Sequence, residues 1–261
     1  MFEPLAGDLY DYPAYYDLVF GSDWKAEFEF LRGCFQSFAT IPVSHVFEPA
    51  CGTGRLLHRL ADQGLRISGL DLNQHAVDYC NQRLARKGFE DRVVQADMSD
   101  FQLPVAVDAG FNMINSFRHL LTHEQALAHL QCMAQAIKPG GLYVLGIHLT
   151  PTTAEPTDSE SWSAQRGHLC IVTQLVCSER DLQARTEHFT MTCQVYTPTK
   201  QQQLQDSTLF RTYTAEQFQE LLEEIPQWES VATFDFQYDL QQPVVVDSKS
   251  EDVVYVLRRT T

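Results

Sequence analysis

The sequence predicts an α/β protein: a doubly wound, seven-stranded sheet, mostly parallel with its last strand antiparallel, and an antiparallel β-sheet inserted after the fifth strand. Three observations predict it. Strand-like and helix-like runs alternate from residue 43 to residue 147, the pattern of parallel strands joined by helical crossovers. The first of these strands passes into its helix through a turn that contains Gly52 and Gly54. The next two strands each close on a carboxylate, Asp71 and Asp97.

Taken in order, residues 8–40 are rich in aromatic rings, and from Asp23 onward Phe28, Leu31 and Phe35 recur at helical spacing toward the core. Packing accounts for most of these rings. Tyr10, Tyr15, Tyr16 and Trp24 precede or open the helix, where they are candidates for a lid over a ligand. Strands are expected at 43–48, 66–70, 92–96, 107–112 and 141–147, with helices at 54–63, 73–87 and 122–137. Asn73 and Gly88 bracket the second of these helices as N-cap and stop, and Thr122 with Gln125 forms a capping box for the third.

The character changes after residue 150. Residues 151–163, rich in Thr, Ser, Pro and acids, read as a loop. Residues 169–178 and 183–196 read as an antiparallel pair turning at Ser178–Asp181, with Leu209–Tyr213 as a third strand. Thr214 and Gln217 form another capping box, which opens a helix over 215–224. Residues 231–237 and 253–258 form a closing hairpin, and Gln201–Gln203 is a short low-complexity tract. The division expected is a core with an N-terminal lid (1–150), an inserted β lid (151–213) and a completion of the core (214–261).

Composition narrows the function. At 261 residues the chain is long enough for one large domain with an insertion, and its 44% apolar content is that of an ordinary soluble globule. No apolar run approaches the roughly 18 residues of a membrane span, and Met-Phe-Glu-Pro does not look like a signal peptide. The seven cysteines form no Cys-x-x-Cys pair, which suits reduced, mostly buried thiols in a cytoplasmic protein. The histidines and cysteines show no metal-ligand spacing. A formal charge of −15 argues against a nucleic-acid partner and leaves a small-molecule acceptor as the better fit, for a monomer or a homodimer.

The densest chemical signal is Val46-Phe-Glu-Pro-Ala50-Cys51-Gly52-Thr-Gly54-Arg-Leu-Leu57. Glycine lets a ligand approach the backbone closely, and free amides at the following helix start attract an anionic group. A carboxylate closing the second strand suits a ribose diol, and one closing the third suits an exocyclic amine such as that of adenine. A nicotinamide fingerprint would place a third glycine where Leu57 stands, and the Gly-Lys-Ser/Thr of a phosphate-binding P-loop is absent.

The order Glu48, Gly-x-Gly, Asp71, Asp97 resembles the cofactor site of class I S-adenosylmethionine-dependent methyltransferases, whose sheet is Rossmann-like. The resemblance continues through Asp108–Ser116 and Lys138-Pro-Gly-Gly141 and covers about residues 10–150. Within that family, Ala50–Gly54, Asn115-Ser-Phe-Arg-His119, Tyr15–Gly21 with Trp24 and Glu27, and Phe210–Phe218 resemble the branch of glycine, sarcosine and sugar-amine N-methyltransferases.

The resemblance implies that S-adenosylmethionine binds and leaves as S-adenosylhomocysteine. Asp71 would hold the ribose and Asp97 the adenine amine, with Leu72 and Met98 forming the adenine slot. Gly52 and Gly54, with Ala50 and Cys51 in the same turn, would seat the methionine end. Glu48 would orient its ammonium, Tyr16 and Trp24 would cover it, and Asn115 would lie beneath the sulfonium. Cys51 reads as a small apolar filler and not as a nucleophile. His119 is the candidate general base or positioning group for an amine acceptor, and the residues leave both roles open. Tyr10, Tyr15, Ser116, His148 and Arg211 are candidate acceptor contacts. Glycine-type enzymes of the branch carry an arginine just past the fifth strand; His148 stands there, so glycine is not the expected acceptor. The expected function is methyl transfer to a small molecule at an amine nitrogen, with oxygen methylation or a non-catalytic cofactor-binding subunit as alternatives.

Overall fold

In this computed structural model, which describes residues 2–89 and 93–260, the first elements are β1 (Glu3–Pro4), α1 (Pro13–Gly21) and α2 (Lys25–Ser37). The alternating core follows as β2 (His45–Pro49), α3 (Leu57–Asp62), β3 (Arg66–Asp71), α4 (Gln74–Arg86), β4 (Val93–Gln95), β5 (Val107–Asn112), α5 (His123–Ala136) and β6 (Ile137–His148). The insertion contributes β7 (Ser159–Arg166), β8 (Leu169–Asp181), β9 (Thr186–Tyr196) and β10 (Gln201–Arg211). The chain closes with α6 (Ala215–Glu223), β11 (Trp228–Phe234) and β12 (Asp252–Arg259).

The seven-stranded sheet has the order β11-β12-β6-β5-β2-β3-β4. Its strands pair in parallel except where β12 runs antiparallel to both β6 and β11. After β2 the chain builds outward to β3 and β4, then returns to the other side at β5. That reversal opens a crevice at the carboxyl ends of β2 and β5, where ligands bind in open α/β sheets. Asn112 bridges it, donating from Nδ2 to the Pro49 carbonyl at 2.8 Å.

Helices cover both faces of this sheet, so every residue of β5 is buried, as a central parallel strand requires. One core lies under α2, α3 and α4 and includes Phe30, Leu57, Cys80 and Val144. The other lies under α5 and α6 and includes Leu130, Tyr143, Phe218 and Leu257. The expected caps are in place: Asn73 accepts from the Ala76 amide at 3.1 Å, and Thr122 and Thr214 form capping boxes with Gln125 and Gln217.

The second sheet, of order β1-β10-β9-β8-β7, packs on α1 through a third core that includes Leu18, Ile171, Val195 and Leu204. Two buried ionic clusters tie it to the rest. Asp17 of α1 pairs with Arg83 of α4 at 2.6 Å and with Arg166 of β7 at 3.2 Å. Arg118 pairs with Glu187 of β9, which also pairs with Arg180 of β8.

Several expectations are corrected here. The 54–63 helix begins only at Leu57, because Cys51–Leu56 are spent in the glycine turn. Residues 159–163 form part of strand β7 and not of a loop. The low-complexity Gln201–Gln203 pairs with β9 as the start of β10, and the third strand of the insert is accordingly longer than Leu209–Tyr213. Ser178–Asp181 is not the hairpin turn; it sits within β8 beside a bulge, and the turn falls at 182–185. Helix α1 was not anticipated. Arg92, expected to start the third core strand, lies outside the described residues.

Candidate active site

The glycine turn is held by its neighbours against strain at Ala50. Ala50, Gly52 and Gly54 all take left-handed backbone angles, at φ 51°, 53° and 65°. Such a conformation at a non-glycine residue is uncommon and clusters at functional sites. A Cβ at Gly54 would run into the Cys80 sulfur, and one at Gly52 would lie 3.4 Å from the Tyr16 ring. The buried Cys51 fills the turn from below, its amide donating to the Leu70 carbonyl at 2.9 Å. Burial pushes its thiol well above the ordinary range, as suits an inert filler.

The acids that close the strands sit along the same edge. Asp71 accepts the Gly52 amide on Oδ2 at 2.7 Å and the Asn73 amide on Oδ1 at 2.9 Å. Burial raises its carboxyl above the ordinary value against these amides. Asp97 is exposed and uses Oδ1 for Ser99, amide and hydroxyl both at 2.7 Å. Leu72 stands 69% exposed at the end of β3, an apolar face able to take a planar ring, and Met98 lies buried beyond β4.

Glu48 carries the plainest sign of a missing partner. It is 6% exposed, and its Oε2 is buried without a hydrogen bond; the Oδ1 of Asn112, on the adjacent strand, is likewise unpartnered. Burial raises the Glu48 carboxyl well above its ordinary value, opposed by the nearby Arg55. Two orphaned acceptors at the crevice fit a ligand ammonium, since unsatisfied buried polar atoms are costly. Asn112 carries no sequence signal that marks it as a site residue.

Next to the turn opens a cavity of about 180 Å³. Tyr16 lines it and also lies against Gly52, joining the two halves of the site. Asn115 lines it at a left-handed φ of 54°, with its side-chain oxygen accepting the His148 amide at 3.0 Å. Ser116 and His119 follow on a 3₁₀ turn, and both face the cavity. His119 Nε2 bonds the Tyr10 hydroxyl at 3.1 Å, and its ring packs on Phe210 with centroids 4.8 Å apart. Burial, reinforced by Arg118, lowers the His119 pKa to about 4, so the imidazole is neutral near neutral pH. Burial and the neighbouring Tyr16 and Asp206 push the Tyr10 hydroxyl in the opposite direction.

Of the other expected acceptor contacts, Tyr10, Ser116 and His148 line the cavity, and His148 pairs with Asp252. Tyr15 does not reach it: its ring stacks on Tyr12 at 5.6 Å. Arg211 turns away too, donating to the Leu121 carbonyl at 2.7 Å and lying over Tyr213. Trp24 is claimed by Arg59, whose guanidinium sits 3.7 Å over its ring, and it does not line the cavity. The insertion supplies the walls that sequence reasoning missed, among them Trp162, Phe189 and Asp206. Among the described residues no group of three or more His, Cys, Asp and Glu could hold a metal ion, and no helix is long and apolar enough to cross a membrane.

A family model described as a methyltransferase domain matches residues 46–141, the segment that holds Glu48, the glycine turn, Asp71, Asp97 and Asn115. Residues 46–141 form a methyltransferase domain. The dTDP-3-amino-3,4,6-trideoxy-alpha-D-glucopyranose N,N-dimethyltransferase of Streptomyces venezuelae is 29% identical over 138 residues, 52% of this chain and 56% of that protein. The dTDP-3-amino-3,6-dideoxy-alpha-D-glucopyranose N,N-dimethyltransferase of Streptomyces fradiae is 31% identical over 134 residues, half of each chain. These matches thus span only about half the length of those relatives. The crystal structure of Streptomyces venezuelae DesVI superposes with a TM-score of 0.77 at 20% identity, over 96% of this chain and 99% of that one. The methyltransferase fold therefore extends beyond the matched domain to the inserted sheet and the closing strands.

Proposed function

We propose that this chain transfers a methyl group from S-adenosylmethionine to the amine nitrogen of a small molecule. The observation that carries the reading is the continuity of the two half-sites: Tyr16 belongs both to the glycine turn that would seat the methionine end and to the cavity that would hold the acceptor. The two relatives named for N,N-dimethylation of amino sugars support nitrogen over oxygen.

S-Adenosylmethionine supplies a methyl group already activated on a sulfonium, so catalysis here rests mainly on alignment. In this reading Glu48 and Asn112 receive the ammonium of the methionine end, Asp71 the ribose diol and Asp97 the adenine amine. Leu72 and Met98 give the adenine its apolar faces. Tyr16 excludes water above Gly52, and Asn115 holds the loop beneath the reacting carbon. His119 stays neutral and orients the Tyr10 hydroxyl toward the acceptor nitrogen. It acts as a positioning residue, since a group with a pKa of about 4 is a weak base for an ammonium.

Incubating the protein with methyl-deuterated S-adenosylmethionine and a panel of free amines, amino sugars and phenols, with products resolved by mass spectrometry and NMR, tests the proposal. Label on nitrogen is expected. Label on oxygen alone would overturn the amine assignment, and cofactor binding without any product would favour a non-catalytic subunit.

A further inference from the structure

The cavity separates two kinds of amine by charge and by size. We infer that the acceptor is a small cationic amine without phosphate, such as a free amino sugar, and not an amine linked to a nucleoside diphosphate. This rests on the methyl-transfer reading above.

A diphosphate needs cations free to bind it, and guanidinium forks are the usual providers. Two guanidiniums line the cavity, and both are committed. Arg118 is 3% exposed, with Nε donating to the Arg211 carbonyl at 2.7 Å and Nη2 engaged by Glu187. Arg180 gives Nε to Glu187 and Nη1 to Asp158 at 2.9 Å. No lysine lines the cavity among the described residues, and the imidazole of His148 is held by Asp252.

Acids dominate what remains. Asp206, half-buried on β10, and Glu160, exposed on β7, both line the cavity and appear in no side-chain ion pair among the described residues. Glu251 also lines it, and receives the Thr157 amide at 2.7 Å and the Thr157 hydroxyl at 3.0 Å, which pins the 151–158 loop beside it. A phosphate held there would face Glu160 and Glu251 with no free cation among the described residues to offset them. An ammonium meets the reverse situation: carboxylates, and aromatic walls that attract cations through their faces, among them Tyr16, Trp162 and Phe189.

Size agrees with charge. The cavity of about 180 Å³ is smaller than the roughly 300 Å³ at the low end for drug-sized ligands. A free amino sugar suits that space, and a nucleoside diphosphate attached to it would have to lie outside, beside the exposed Glu160. Before reaction the bound ammonium gives up one proton to water. The freed lone pair then forms the carbon–nitrogen bond as the carbon–sulfur bond breaks. The product is a methylated ammonium.

Calorimetry on the full chain loaded with S-adenosylhomocysteine tests this, using free 3-amino-3-deoxyglucose, a panel of other free amino sugars and small amines, and the thymidine-diphosphate-linked form of the first. At least one free amine should bind, and the nucleotide-linked form should bind at least about thirtyfold more weakly than the best of them. Asp206→Asn and Glu160→Gln should each weaken the free amine, Asp206→Asn by roughly tenfold or more, with S-adenosylhomocysteine affinity retained. Equal or tighter binding of the nucleotide-linked form, or no binding by any free amine, overturns the inference. Amines that bind but accept no methyl from S-adenosylmethionine would instead refute the methyl-transfer reading and leave the cavity assignment standing.

Discussion

Asp71 accepts the Gly52 amide at 2.7 Å, so the carboxylate closing β3 also fixes the strained turn that closes β2. The two strands are neighbours in parallel register, with Glu48 opposite Gly69. One side chain thus shapes the turn, and in the proposed reading it also receives the ribose diol.

Asp71→Ala should therefore weaken S-adenosylhomocysteine binding by roughly ten- to a hundredfold, since hydrogen bonds to charged groups are worth about 1.5–3 kcal/mol. Asp71→Asn keeps one acceptor oxygen and should lose less. Calorimetric affinities for the three proteins check this, and equal values would remove Asp71 from the ribose site.

Glu48 should release a proton when ligand binds. Burial raises its carboxyl well above the usual range in the free protein. A ligand ammonium beside the unpartnered Oε2 favours the ionised form and lowers it again. Titrating S-adenosylhomocysteine in buffers of different ionisation enthalpy should reveal net proton release, and Glu48→Gln should abolish it. Release that persists in Glu48→Gln would place the titrating group elsewhere.

His119 and Tyr10 should behave as one unit. His119→Ala and Tyr10→Phe should each lower turnover by roughly tenfold, and the double variant little more than either alone. With the imidazole neutral from well below pH 6, the ratio of wild type to His119→Ala should stay constant from about pH 6.5 to 9.5. A ratio that closes at high pH would make His119 a general base.

His129 is fully buried in α5, bonding the Met98 carbonyl through Nδ1 and the Tyr143 hydroxyl through Nε2, each at 2.8 Å. Burial lowers its pKa to about 4 from an ordinary value near 6.5. The folded state therefore binds fewer protons than the unfolded state between those values. The stability His129 confers is complete above pH 6.5 and is lost as pH falls through about 4. The stability gap between wild type and His129→Phe, from urea unfolding, should be on the order of 2–3 kcal/mol at pH 7 and shrink across that window. A gap independent of pH would show that the imidazole is not buried neutral.

The placement of the proposed cofactor half was legible in sequence because its signal is local. Glu48, Gly52, Gly54, Asp71 and Asp97 sit at strand ends, and a parallel sheet brings strand ends together whatever the side chains between them. Of the acceptor half, Tyr10, Ser116, His119 and His148 were legible, and the walls from the insertion were not. Strand β7 buries only Ala164 fully and reads Ser-Glu-Ser-Trp-Ser-Ala-Gln-Arg, with little of the apolar alternation that marks a strand. Helix α1 buries Asp17 because Arg83, Arg166 and Thr53 satisfy it, a partnership between residues far apart in sequence. Arg211 lies away from the cavity for a related reason: its position in the chain says nothing of the Leu121 carbonyl that holds it. Asp206 and Trp162 reach the cavity through antiparallel register, which a chain pattern does not encode.

A crystal structure with S-adenosylhomocysteine bound tests the central claim most directly. It should show the ribose hydroxyls on Asp71, the adenine between Leu72 and Met98 with its amine on Asp97, and the ammonium on Glu48. The sulfur should point past Asn115 into the cavity walled by Tyr10, Tyr16 and His119. Ligand found outside the Gly52–Gly54 turn, or a sulfur directed away from that cavity, would contradict the account.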